Sequence, residues 1–149
     1  MFDAWNEIYS NSMVVRSAVL YGHVAGMLVG GGCAVAADRM TLLSQAGDAQ
    51  QLKAVGGVHR IVIGGIGALV VSGALMFAAN VDTYLSSPYY WTKMALFALL
   101  LINGRRLTVA ERDARAGMAS GWVRLRGASV ASLVLWLLTA LCGAILPNV

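Results

Sequence analysis

AVLYGHVAGMLVGGG, residues 18–32, carries one ionisable side chain, His23, among small and apolar residues. The apolar run around it extends from about residue 14 to 37. As a helix rising about 1.5 Å per residue, such a run crosses a hydrocarbon layer of about 30 Å. Three further apolar segments follow, at about 59–80, 89–104 and 127–147. The third is short and must borrow length from its flanks. The chain is 58% hydrophobic and only 12% charged, about half the charge of a soluble domain. It cannot cover a water-facing surface. The pattern predicts an all-α polytopic membrane protein: one transmembrane domain over 1–149, folded as an antiparallel four-transmembrane-helix bundle.

Cationic residues give the sidedness. Arg39, Lys53 and Arg60 border the first loop, and Arg105, Arg106, Arg112, Arg115, Arg124 and Arg126 fill the third. Only Arg16 and Lys93 lie on the other side. The positive-inside rule puts loops one and three in the cytoplasm. Both termini are then periplasmic, and the chain is expected in a bacterial inner membrane. The net charge of +4 follows from this topology, so no nucleic-acid partner is expected. The outer loop NVDTYLSSPYYW, residues 80–91, carries the aromatic residues of an interfacial belt.

The start, MFDAWNEIYSNSMVVR, is acidic and aromatic, unlike the basic start of a signal peptide. AVAAD at 34–38 resembles a cleavage site, but the run before it is long, so the first span is expected to be retained. Residues 44–57 are expected to extend the second span or to form a short surface helix, and 107–127 to form a solvated cytoplasmic helix. Cys33 and Cys142 fall near opposite ends of their spans, so no disulfide is expected between them.

Lipid tails are as apolar as leucine, so helices associate where small residues permit close approach. Gly22, Gly26 and Gly30 provide such a face on the first span, and Gly64, Gly65, Gly67, Ser72 and Gly73 on the second. The fourth carries Ser129, Ser132, Trp136, Thr139 and Gly143 on roughly one stripe. These faces should point inward.

An ionisable residue within a span is a functional candidate. His23 lies about 13 Å into the first span. Gly22, Ala25 and Gly26 beside it leave room for a flat ring such as a porphyrin. The alternative is a neutral histidine bonded to a serine, threonine or carbonyl of another helix. Arg16 shares its face, and Met27 lies one turn on. Lys93 opens the third span on the same side, either snorkelling to the surface or pairing with a carboxylate such as a haem propionate. His59, beside Arg60 at the cytoplasmic mouth of the second span, is the other imidazole. It lies roughly 20 Å from His23 along the membrane normal, too far to share one haem. Asn103, at the inner end of the third span, can bond between helices or cap His59. The metal candidates are therefore His23, His59 and Met27, and the cofactor-binding candidates His23, Lys93, Arg16 and Gly26. Imidazole and thioether suit copper. No Walker loop, H-E-x-x-H, C-x-x-C or nucleophile elbow occurs.

SSPYYWTKMALFALLLINGRRL, residues 86–107, resembles the third-span signature of small bacterial membrane proteins that include the membrane domain of copper resistance protein D and the HemJ-type protoporphyrinogen oxidase. Trp91, Lys93 and Met94 take the opening positions, Asn103 and Arg105 the exit, and His23 the early first-span histidine. Met94 replaces the usual leucine. The resemblance implies a four-helix bundle with haem b or copper involvement. Three readings follow: a haem-b-binding, redox-linked protein; a copper-handling protein; and a non-catalytic accessory subunit. The expected partners are the lipid bilayer and either a second copy or other membrane subunits.

Overall fold

Every regular element in the computed structural model, which describes residues 3–145, is helical. Residues 146 and 147 of the expected fourth span, and both chain ends, lie outside the described residues. A short helix α1 (Asp3–Asn11) leads into α2 (Met13–Gly26). Ser12 caps α2 by accepting the Val15 backbone N–H at 3.3 Å. A wide π-helical turn, Met27–Gly31, joins α2 to α3 (Gly32–Leu43) without ending the rod. Then come α4 (Ala49–Ala79), the one-turn α5 (Val81–Ser86), α6 (Pro88–Arg115) and α7 (Ala119–Ile145). Pro88 starts α6, where its missing N–H costs nothing.

Three stretches are long and apolar enough to cross a membrane: Met13–Leu43, Leu52–Ala79 and Ala119–Ile145. Helix α6 is as long, with 28 residues, but Lys93 and a run of arginines, Glu111 and Asp113 dilute its apolar core. The first loop follows expectation and the third differs from it. Residues 49–57 continue the second span as the start of α4. The segment 107–127 is no separate helix: α6 runs through it to Arg115, and α7 restarts at Ala119 after a turn whose Gly117 takes φ +79°. Only glycine enters that region cheaply.

The long helices pair in antiparallel hairpins. On the first, His23 meets Ser72, Gly26 meets Ala68 and Gly30 meets Gly65. A Cβ built on Gly30 would lie 2.9 Å from the Gly65 Cα, so the two backbones touch. This is the close approach expected of the glycine face. Gly22 stands apart, with nothing near it. On the second hairpin, Asn103 Nδ2 donates to the Ala128 carbonyl at 2.8 Å, and Lys93 reaches Gly143.

The two hairpins meet where α3 packs on α7. Gly31 presses on the Trp136 ring, and Ala34, Leu100 and Trp136 form one buried cluster. At the Arg-rich end, Leu52, Ala110, Ala114, Trp122 and Leu125 form a second. Around it Arg115 donates to the Leu52 carbonyl at 2.7 Å and pairs with Glu111, while Arg124 pairs with Asp113 at 3.0 Å. Arg126 donates to the Ser44 carbonyl. Most other apolar side chains of the spans point outward, as lipid requires. Cys33 and Cys142 are both free.

Candidate functional site

His23 projects from α2 toward α4, half-buried, with its ring beside Gly73. Its Nδ1 lies 2.9 Å from Ser72 Oγ, and that hydroxyl is 2.6 Å from the Ala68 carbonyl. A hydroxyl has one proton, and the carbonyl can only accept. Ser72 therefore donates to Ala68, and His23 must donate its Nδ1–H to Ser72. The neutral ring is fixed in the Nδ1–H tautomer, with its Nε2 lone pair turned to Lys93 Nζ at 3.4 Å. The relay runs from Lys93 through His23 and Ser72 to the α4 backbone, joining α2, α4 and α6.

The pair borders a cavity of about 330 Å³ on the Lys93 side of Trp136, the side the charge bias of the sequence would make the outer one. Met27, Leu69, Phe97 and Thr139 line it deeper in. Phe77, Tyr84 and Tyr90 pack against one another at its outer end, with centroids 5.4–6.3 Å apart. Burial pushes the Tyr84 phenol above its usual range, so it stays a neutral donor. The walls are apolar and aromatic, with few polar atoms, which is the composition of a site for a lipid-soluble molecule.

A second cavity, about 620 Å³, opens on the inner side of Trp136. His59, Arg105 and Glu111 stand on its walls with Asp38, Thr41, Ser129 and Ser132. Asp38 is only 5% exposed, and the Ser132 and Ser129 hydroxyls lie against its carboxyl group. Yet Asp38 Oδ2 and Ser129 Oγ fall outside hydrogen-bond geometry, as does Thr139 Oγ1 on the outer side.

The candidates of the sequence thus separate. His23, Lys93 and Met27 converge on the outer cavity, while His59 lines the inner one. Arg16 is exposed two turns before His23 on the same helix, away from the cavity. Gly26 faces α4, with Ala68 and Gly65 where a Cβ would stand, so it contributes to helix packing and offers no space to a macrocycle. Lys93 turns inward to His23, and Asn103 bonds between helices. Sequence reasoning passed over Asp38 and took Ser72 only as a small packing residue. Asp38 carried a signal, as an acid at the end of an apolar run. Ser72 had none until α4 was set opposite His23.

The donor set fits a haem in part. Ser72 holds the His23 tautomer as an axial ligand requires, and Met27 lies on the same cavity. Lys93 stands on Nε2 and would have to swing away, which frees its ammonium for a carboxylate. Among the described residues, no group of three or more His, Cys, Asp or Glu could hold a bare metal ion. Comparison with protein-family models, curated proteins and solved structures finds no match to this chain.

Proposed function

We propose that this chain is a multi-pass inner-membrane protein that binds a lipid-soluble molecule bearing carbonyl or carboxylate oxygens in its outer cavity. The observation that carries this is the His23–Lys93 pair on an otherwise apolar and aromatic cavity. Lys93 donates to the ligand oxygen, and His23, braced by Ser72, orients Lys93 or accepts from the ligand. The aromatic end packs on the apolar part of the ligand. Haem b belongs to this chemical class, with propionates for Lys93 and iron for His23 Nε2; its role in this chain would be electron transfer. An isoprenoid quinone belongs to it too. Copper is the weaker occupant, with only His23 and Met27 as donors on this cavity.

In this reading α6 is the fourth crossing of an antiparallel bundle, and both termini are periplasmic. From Lys93 to Arg105 α6 rises about 18 Å, short of the about 30 Å required. Lys93 turned onto His23 and Asn103 turned onto Ala128 hide its polar ends inside the protein. The exposed apolar faces meet lipid, a second copy or other membrane subunits.

The test is purification in mild detergent from cells supplied with haem, followed by a reduced-minus-oxidised spectrum and organic extraction. A haem band, or a co-extracted quinone, that is lost in Lys93→Met and His23→Ala supports the reading and names the occupant. A wild-type protein that carries neither and binds neither on titration overturns it.

A further inference from the structure

The two cavities share one wall residue, Trp136. Ser129, Ser132, Trp136 and Thr139 occupy one stripe of α7, at three- and four-residue spacing, and all are buried. The stripe therefore continues from the inner cavity past the indole into the outer one. It is also where hydrogen bonding is incomplete: among the described residues, Ser129 Oγ and Asp38 Oδ2 on the inner side, though close to each other's side chains, and Thr139 Oγ1 on the outer side make no well-formed hydrogen bond. Buried polar atoms left this way call for water. The cavities beside them are large enough to hold it.

We propose that the cavities are two half-channels for protons, that Asp38 and the His23–Lys93 pair are the proton carriers on their walls, and that Trp136 is the barrier between them. The inference holds for an occupant that leaves His23 Nε2 and Lys93 Nζ together, as a quinone would, and not for a haem whose iron would take Nε2. His23 Nε2 and Lys93 Nζ can pass a proton between them, because Ser72 keeps Nδ1 as the fixed donor and leaves Nε2 to exchange. On the other side the Asp38 carboxyl exchanges a proton with water in the inner cavity, which His59, Arg105 and Glu111 also face. From Ser132 to Thr139 α7 rises about 10 Å. A file of about three waters, each about 2.8 Å from the next, bridges that gap once the indole moves. Each carrier that gives up a proton inward is refilled from its outer neighbour, so one proton crosses and every group returns to its starting state. An acid, an imidazole and an amine inside spans are the residue types of such relays.

The barrier sits on a deformable part of the rod. Gly31, whose missing Cβ would lie 3.0 Å from the Trp136 ring, belongs to the π-helical turn Met27–Gly31. Such turns recur at functional sites in helices. A small change in that turn shifts the surface on which the indole rests.

The test uses the full chain in proteoliposomes with trapped pyranine, a potassium gradient and valinomycin, reading the initial rate of internal pH change. Trp136→Ala should raise the proton rate several-fold over wild type, and Asp38→Asn in that background should return it to the wild-type rate. Gly31→Ala, which pushes the indole without removing a polar group, should also raise it. Where Trp136→Ala does not fold, as judged by circular dichroism and gel filtration, Trp136→Phe and Gly31→Ala carry the test. Folded barrier variants with wild-type rates overturn the proposal. So does a raised rate that Asp38→Asn leaves untouched, since that is a leak around the protein. Ligand retained in the outer cavity of these variants keeps this outcome separate from that of the binding reading.

Discussion

Gly30→Ala tests the backbone contact on which the geometry of His23 depends. The new Cβ would meet the Gly65 Cα at 2.9 Å. Carbon atoms rest at about 3.5–4.0 Å, so α2 and α4 must part by about 0.6–1.1 Å. Overpacking of this kind costs about 1–3 kcal/mol. Parting by the same amount at His23 would stretch its 2.9 Å bond to Ser72 to about 3.5–4.0 Å, past the range of a hydrogen bond. That loses about 0.6 kcal/mol more, the mean found for such bonds in a membrane bundle. Alanine also favours a helix over glycine by about 0.5–1 kcal/mol. Gly22→Ala carries that gain alone, because a Cβ there would meet no atom of another helix within 4 Å among the described residues. Gly30→Ala should therefore unfold more readily than Gly22→Ala by about 1.6–3.6 kcal/mol. The assay is reversible unfolding in mixed detergent and SDS micelles, followed by tryptophan fluorescence. Equal stability of the two variants would refute the account, because the contact would then yield without cost.

Ser72→Ala should cost about 0.5–1.5 kcal/mol, since it removes the hydroxyl that accepts the His23 Nδ1–H and leaves only the Leu69 carbonyl beside it; the same detergent titration reads it. Gly117→Ala should cost about 1–2 kcal/mol through its left-handed backbone, with no change in outer-cavity ligand content measured spectroscopically. In a background without Cys33 and Cys142, cysteines at Ser87 and Ser120 should react with an impermeant maleimide from opposite faces of the membrane. Labelling of both from one face would remove α6 as a crossing. Cys33 and Cys142, both free, should leave the electrophoretic mobility of the wild type unchanged by reductant.

Membrane character, three long apolar helices and the inward polar stripe of α7 were all legible in the sequence, because hydrocarbon imposes length and composition on each helix separately. Gly26 and Gly30 were legible as a packing face for the same local reason: lack of a side chain is a property of the residue, whatever it meets. His23 could be singled out as anomalous by its solvent alone. Its partners could not be named, since Ser72 lies 49 residues away and Lys93 70 residues away. Their meeting depends on the register at which Gly30 seats on Gly65 and on the face α6 turns inward. Lys93 had two outlets by sequence, the surface or the interior, and the imidazole lone pair facing it selects the second. Asp38 looked like the end of a span and is instead a buried acid, because α3 continues past it and α7 brings Ser129 and Ser132 against it. Length and apolarity are one-dimensional properties of a chain. A shared wall such as Trp136, with a cavity on either side, exists only once helices far apart in sequence are packed together.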